Sequence, residues 1–117
     1  MTTIAMTLLG RALRYANGSH TVEDIKQGIR EEYFQLFEGD HSVIVTEILQ
    51  TPQHKTLHFF LAGGYLPELA AMLPPILEWG KRIGCTHASL TGRRGWLRSF
   101  VRKFGFQETA IMMGCRL

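Results

Sequence analysis

Cysteine, long apolar runs and low-complexity segments are all scarce in this chain. Only Cys85 and Cys115 occur among its 117 residues, and their spacing fits neither a disulfide framework nor a zinc ribbon, so two free thiols in a reducing compartment are expected. The most apolar stretch, Leu66 to Leu77, is too short to cross a bilayer and is interrupted by prolines. The opening residues lack a basic leader, which favours a cytoplasmic protein.

Acidic residues are missing from one long segment. The chain has 13 Lys and Arg against 10 Asp and Glu, a net charge of +3. Between Trp79 and Gln107 every charged residue is basic, so the preceding two-thirds is net acidic. This asymmetry indicates an anionic partner for the C-terminal third, which charge alone leaves open as a phosphate-bearing small molecule, a nucleic acid or an acidic protein. The basic residues are Lys81, Arg82, Arg93, Arg94, Arg98, Arg102 and Lys103.

A hydrophobic content of 45% and a charged content of 20% are typical of a folded protein, and the length predicts one domain over residues 1–117. Apolar residues at helical spacing predict a first helix over Ala5 to Ala16. A second helix is expected to start after Thr21, an N-cap residue, and to carry its apolar stripe through Tyr33 to Leu36. Both helices precede the first predicted strand.

The rest of the chain alternates strands and helices. Runs rich in β-branched and aromatic residues predict an antiparallel hairpin of His41 to Gln50 with Lys55 to Ala62. A helix over Leu66 to Ile83 is expected to kink or restart at Pro74-Pro75. The predicted order is ααββαβαβ, an α/β (α+β) fold in which a compact mixed sheet of about four strands is flanked by four helices. The last three elements are a strand over Thr86 to Leu90, a basic amphipathic helix over Arg94 to Phe104 and a strand over Gln107 to Cys115.

Two glycines between a predicted strand and a predicted helix form the first candidate site. The run Gly63-Gly64-Tyr65 has free backbone amides near a helix N-terminus, where the helix dipole favours an anion. Paired glycines at the end of a strand also occur simply as turns, so the pattern leaves both interpretations open.

The basic helix is the second candidate. Arg94, Arg98 and Arg102 recur every four residues with no intervening glutamate, and Lys103 extends the charge. The face is either a solvated surface or a binding surface for an anion or an acidic partner. Trp96 beside it is either a core anchor or a contact residue.

Glu47 is the third candidate. Strict alternation places it on the same face as Val43 and Val45, where partial burial would raise its pKa and suit it to act as a general base. The alternatives are a carboxylate at a strand edge and one paired with an arginine. The five histidines fall on different elements without ligand spacing, so no metal is expected.

The second half of the chain resembles the second half of GNAT acyltransferases, the acyl-CoA N-acyltransferase fold. The resemblance lies in the order of its parts, which is a strand, the Gly63-Gly64 bend, a helix, a strand, the run Gly92 to Trp96 and then Gly105-Phe106. Thr21 to Ile25, Thr46 to Ile48 and the Gly-Arg-x-Gly-Trp run look like small GNAT-like proteins of tailed bacteriophages and prophages. The resemblance covers nearly the whole chain from Thr21 onward. It implies a sheet that splays where the pantetheine of acyl-CoA enters, and a bacterial host cytoplasm as the setting.

Carried over position by position, the resemblance assigns the CoA pyrophosphate to Gly63, Gly64, Tyr65 and Leu66. The CoA 3′-phosphate is assigned to Arg93, Arg94 or Arg98. The position where many GNAT enzymes have a tyrosine that protonates the departing thiolate is Val101 here.

Two functions follow as hypotheses. In the first, the protein is an N-acyltransferase that uses acetyl-CoA or another acyl-CoA, with Glu47 or a water that it orients as the base for an amine of unknown identity. In the second, the fold is kept without catalysis, and Trp96, Arg98, Arg102 and Lys103 bind a phage or host protein or, without base specificity, a nucleic acid.

Overall fold

The helices and strands follow the order ααβββαβ and end in two 3-10 helices. A computed structural model describes the backbone of residues 1–117 and every side chain except those of Arg94 and Leu97. The α-helices are α1 (Thr3–Leu13), α2 (Val22–Arg30) and α3 (Leu66–Arg82), the strands are β1 (Phe34–Glu38), β2 (Ser42–Gln50), β3 (Lys55–Gly64) and β4 (His87–Leu90), and the 3-10 helices are η1 (Arg94–Arg98) and η2 (Phe100–Phe104).

The second helix is shorter than predicted. Thr21 and Asp24 form a complete capping box at its start, in which each side chain bonds the backbone amide of the other residue. The helix ends at Arg30, and Glu32 takes a positive φ of 61°. The prediction that its stripe continues to Leu36 is wrong, because residues 34–38 bond to β2 as a strand and leave Tyr33 63% exposed.

A four-stranded sheet forms the centre of the molecule, in the order β1-β2-β3-β4. β1 and β2 are antiparallel, and so are β2 and β3, which confirms the predicted hairpin. β3 and β4 are parallel and are connected by α3. The mixed α/β class and the count of about four strands are therefore confirmed, with three α-helices in place of four.

The core has two layers, one on each face of the sheet. Side chains of α1 and α2 pack on Val43, Val45 and Leu61, whereas those of α3 pack on Ile44 and Phe59. Helix α3 continues through Pro74 and Pro75 without a restart. None of the helices in the described part of the chain has the length and apolar character needed to cross a membrane.

The basic helix and the last strand are not formed as predicted. Residues 94–104 form two 3-10 helices separated by Ser99, whose backbone is extended and whose hydroxyl donates to the Trp96 carbonyl oxygen at 2.7 Å. A serine side chain that bonds the local backbone competes with regular helix formation, which accounts for the break. Residues 107–115 are exposed and belong to no strand in the described backbone, so β1 rather than this segment is the fourth strand.

Candidate functional site

The two parallel strands at the centre of the candidate site differ in length. β3 has ten residues and β4 has four, and their pairing runs from Thr56–His87 to Phe59–Leu90. Within the described backbone, β4 has no residue opposite the last five residues of β3, Phe60 to Gly64. The sheet therefore opens at the carboxyl ends of these strands and leaves one edge of β3 accessible.

A β-bulge lies at the start of this opening. Val45 of β2 pairs with Leu61 and Thr46 pairs with Phe59, so Phe60 is an extra residue on β3. A bulged residue falls outside the regular ladder of hydrogen bonds and re-aims the strand locally. Phe60 itself lines the cleft that extends from the opening.

A cleft of about 360 Å³ extends from the opening and carries positive charge. Arg11 of α1 and Arg93 after β4 both line it, and no carboxylate lines it among the described side chains. The Arg93 guanidinium lies 3.8 Å from the centroid of the Tyr15 ring, a cation–π contact that joins the loop after β4 to α1. The other lining residues are Leu8, Ala12, Ala16, Phe60, Leu61, Ala62, Gly63, Gly64, Thr91, Gly92 and Trp96.

The structure separates the four residues predicted to bind pyrophosphate. Gly63 and Gly64 line the cleft, whereas Tyr65 and Leu66 are exposed and are not among its lining residues. The Tyr65 amide is already used inside the fold, since it donates to the His41 carbonyl oxygen at 3.2 Å and to the Ser42 hydroxyl at 3.1 Å.

A carboxylate also occupies the first turn of α3. Glu68 accepts hydrogen bonds from the backbone amides of Asp40 at 2.9 Å and His41 at 2.8 Å. Hydrogen bonds from the Ser42 hydroxyl and from the His41 and Asp40 amides lower the pKa of Glu68 from its ordinary value. The negative charge that a helix N-terminus favours is thus already supplied by the chain itself.

The predicted basic residues lie in different places. Arg93 lines the cleft, while Arg98 is exposed on η1 and is not among the lining residues. The side chain of Arg94 lies outside the described residues. Arg102 and Lys103 are exposed on η2.

Trp96 is half-buried on η1 rather than fully exposed. Its ring lies edge-on to Phe100, with 6.3 Å between the ring centroids, and it packs against the core on the α3 side. This placement matches the core-anchor alternative, although one side of Trp96 also lines the cleft.

A row of polar side chains crosses three strands beside the opening. In the sheet register Glu47 of β2 is opposite His58 of β3, and His58 is opposite Ser89 of β4. The His58 Nδ1 atom is 2.6 Å from the Ser89 hydroxyl, and its Nε2 atom is 2.9 Å from the Thr91 hydroxyl. Thr91 lines the cleft, so it connects the row to the opening.

Burial shifts the titration of both ionisable members of the row. Desolvation raises the pKa of Glu47, and the nearby charge of His20 partly opposes that rise. Desolvation lowers the pKa of His58, so its imidazole is neutral at pH 7, with one ring nitrogen donating and the other accepting. The row therefore contains a carboxylate and a neutral imidazole, the two kinds of side chain that serve as general bases.

An aromatic group borders the row on the α1 and α2 side of the sheet. The His20 ring lies 4.9 Å from the Phe60 ring and 6.0 Å from the Phe34 ring, measured between centroids. Phe34 is itself the β1 partner of Glu47. Glu47 therefore lies next to this aromatic group in the sheet, in a partly buried position whose desolvation raises its pKa.

The sequence patterns exclude His58 as a metal ligand and do not pair it with Glu47. The hairpin register contains that pair, because a turn that sets Gln50 opposite Lys55 also sets Glu47 opposite His58. Among the described residues, no group of three or more His, Cys, Asp and Glu is placed to hold a metal ion.

Solved structures share this arrangement of helices and strands. The tetramutant of the BH1408 protein from Bacillus halodurans matches with a TM-score of 0.72 at 13% identity, over 97% of this chain and 92% of that chain. Wild-type TTHA1254 from Thermus thermophilus matches with a TM-score of 0.63 at 14% identity, over 100% of this chain and 93% of that chain.

An acetyltransferase is a third neighbour. The aminoglycoside N-acetyltransferase AAC(6')-Iy, solved in complex with CoA, matches with a TM-score of 0.55 at 13% identity, over 100% of this chain and 91% of that chain. At these identities the likeness shows the fold, which is GNAT-like. No protein-family profile matches the sequence, and no curated protein matches it either.

Proposed function

We propose that this protein binds an acyl-CoA, with acetyl-CoA as the simplest case, in the opening between β3 and β4 and transfers the acyl group to an amine. The observation that carries the proposal is the accessible β3 edge over Phe60 to Gly64, which lies along a cationic cleft. A GNAT-like neighbour was solved with CoA, which supports this choice of ligand.

The shape of the opening suits the pantetheine arm. Pantetheine is an extended chain with two amide groups. It therefore matches the edge of β3 that faces β4, where the residues after Phe59 have no strand partner. The bulge at Phe60 adds a backbone amide where the thioester carbonyl would lie. Amides between Phe60 and Gly63 would then stabilise the oxyanion that develops as the amine attacks.

The charge of the cleft suits the phosphates. Arg11 and Arg93 supply two guanidinium groups, which bind phosphate oxygens through several donors, and Gly63 and Gly64 allow the ligand to approach the backbone. Arg11 joins the predicted set because α1 packs beside the end of β3. Roles for Tyr65, Leu66, Arg94 and Arg98 stay predictions from the resemblance.

The proposed transfer begins with a neutral amine that attacks the thioester carbonyl carbon. A C–N bond forms, the C–S bond breaks, and the CoA thiolate leaves with the bonding electrons. Glu47, directly or through water, takes the proton that the amine nitrogen loses, and His58 with Thr91 orients that water at the cleft. Val101 is buried and has no acidic group, so the thiolate would take its proton from solvent.

Calorimetric titration with acetyl-CoA tests the proposal. We expect saturable binding that Arg93→Ala weakens about tenfold, as is common for loss of a charged hydrogen bond. Arg102→Ala is the matched control, because this arginine is exposed on η2, outside the lining residues of the cleft, and has no assigned role toward CoA, so the variant should bind like the wild type. The absence of both heat and thermal shift at millimolar acetyl-CoA would contradict the proposal.

The non-catalytic alternative has one supporting observation, the exposure of Arg98, Arg102 and Lys103 on η1 and η2. If this surface binds nucleic acid, the binding should be directed at phosphates and should weaken steeply with salt. Binding to duplex DNA that is unchanged from low to high salt would contradict an electrostatic mode. A phage or prophage origin and a cytoplasmic setting likewise stay predictions.

A further inference from the structure

A small pocket, called the apolar pocket below, lies on the α3 side of the sheet and has a volume of about 30 Å³. Ile44 and Phe59 line it from the sheet, Leu69 and Leu73 line it from α3, and the remaining lining comes largely from η1 and η2. Every described residue that lines it is aliphatic or aromatic. A space without polar partners does not hold water stably, so this pocket is suited to an apolar group.

The apolar pocket begins where the pairing of β3 with β4 ends. Phe59 and Leu90 are the last residues paired between the two strands, and both line the pocket. Beyond this pair β4 has no residue opposite β3 in the described backbone, so no strand separates the pocket from the cleft on the α1 side. The opening between the strands therefore leads towards the pocket as well as towards the cleft.

Two residues line both spaces, Ala62 of β3 and Trp96 of η1. Ala62 has only a methyl group, so the Trp96 ring is the larger part of the partition between them. Gly92 allows the ring to lie there, because a Cβ atom at Gly92 would be 2.6 Å from the Trp96 Cδ1 atom. The indole is thus held close to the backbone of the loop after β4.

The position of the pocket suits the end of an acyl chain. The thioester carbonyl is proposed to lie at the bulge residue Phe60, and the preceding residue, Phe59, lines the apolar pocket. A water-sized group needs roughly 10–15 Å³ of such space, so a pocket of about 30 Å³ takes two methylene-sized groups. Two carbons added to an acetyl group make a four-carbon chain.

We infer that the preferred acyl donor carries an unbranched aliphatic chain of about four carbons, a butyryl group, whose last two carbons fill the apolar pocket. Trp96 sets the upper limit on the length of the chain. The inference rests on the proposed function and adds to it the class of acyl group. Polar chains are disfavoured, since the described lining has no charged residue to pair with a carboxylate, and a buried polar group without a partner is costly.

Calorimetric titration with acyl-CoA ligands of increasing chain length tests the inference. Each buried methylene strengthens binding about fourfold, so butyryl-CoA should bind about tenfold more tightly than acetyl-CoA. Hexanoyl-CoA should bind no more tightly than butyryl-CoA, because the pocket is then full. The matched ligand is 3-hydroxybutyryl-CoA, which has the same chain length and should lose most of the gain because its hydroxyl would be buried unpaired.

Two variants change the pocket in opposite directions. Val101 is buried and lines the pocket but not the cleft, so Val101→Ile should reduce the ratio of butyryl-CoA to acetyl-CoA affinity to about threefold or less. Val22→Ile is the matched control, because it makes the same change at the start of α2 in the other core layer, and it should keep the wild-type ratio. Trp96→Ala removes the partition, and hexanoyl-CoA should then bind more tightly than butyryl-CoA.

The results distinguish this inference from the proposed function. Failure of every acyl-CoA to bind, acetyl-CoA included, would overturn both. Binding of acetyl-CoA at least as tight as that of butyryl-CoA would overturn the inference alone, and so would a Val101→Ile variant that keeps the wild-type ratio. If Trp96→Ala does not fold by circular dichroism, the ligand series and Val101→Ile still decide the question.

Discussion

Replacement of Gly64 by alanine should destabilise the protein far more than replacement of Gly63. Gly64 has φ of +126°, a conformation that residues with a side chain rarely adopt. A Cβ atom there would overlap the His41 carbonyl oxygen and would lie 2.5 Å from the Ser42 Cα atom. Both neighbours are backbone atoms, one in the residue before β2 and one in its first residue, so they have little room to move.

The loss of stability in Gly64→Ala has two causes, the backbone strain and the overlap of the added Cβ atom with its neighbours. Backbone strain of this kind costs about 1–3 kcal/mol, and the overlap with backbone atoms adds to that cost. We therefore expect Gly64→Ala to lower the free energy of unfolding by at least ~2 kcal/mol. For a domain of this length that loss corresponds to a fall in Tm of roughly 8 °C.

Gly63→Ala is the matched control. A Cβ atom at Gly63 would be 3.5 Å from the Leu8 carbonyl oxygen, an ordinary contact, so we expect a change within about 1 kcal/mol. Urea unfolding followed by circular dichroism measures both variants. Equal losses for the two variants would refute the reasoning, since the pair would then not differ in backbone strain.

Three further predictions concern charge and titration. The variant Tyr15→Leu removes the cation–π partner of Arg93, and we expect its affinity for acetyl-CoA to fall about threefold while the fold stays intact. An unchanged affinity in calorimetry would show that the contact does not position the Arg93 guanidinium. Burial raises the pKa of Glu47 from its ordinary value, so the folded protein holds more protons than the unfolded chain above about pH 4.5, and stability falls as the pH rises through the folded pKa. Glu47→Gln should remove that fall, and urea titrations at neutral pH should show it to be more stable than the wild type. If the free energy of unfolding of the variant falls with pH as steeply as that of the wild type, burial of Glu47 does not cause the fall. Burial lowers the pKa of His58, so the unfolded chain binds more protons than the folded protein, and stability is lost as the pH drops from about 6.5 through the folded pKa. The variant His58→Gln should therefore lose less stability than the wild type over that range. An identical loss in both proteins would show that another group is responsible.

Local sequence patterns predict the elements whose stabilising contacts are also local. The capping residue Thr21, the two strands of the hairpin and the start of α3 at Leu66 all depend on contacts within a few residues, and each lies where the patterns place it. β1 is different, because residues 34–38 become a strand only by pairing with β2. No periodicity within the segment contains that information.

The same distinction applies to the site. Alternation along β2 places Glu47 on the same face of the sheet as Val43 and Val45. The hairpin register then determines that His58 is opposite Glu47. The contacts of His58 with Ser89 and Thr91 depend instead on β4 returning beside β3 after α3, a contact between distant segments. Arg11 enters the cleft for the same reason, since α1 packs on the end of β3.

The proposal that acyl-CoA occupies the opening between β3 and β4 is tested by amide chemical shifts measured as acetyl-CoA is added. We expect the largest shifts at Phe60 to Gly64 and at Arg93, and we expect them to saturate as the ligand is added. Absence of shifts at millimolar acetyl-CoA, or shifts confined to residues 98–104, would contradict it.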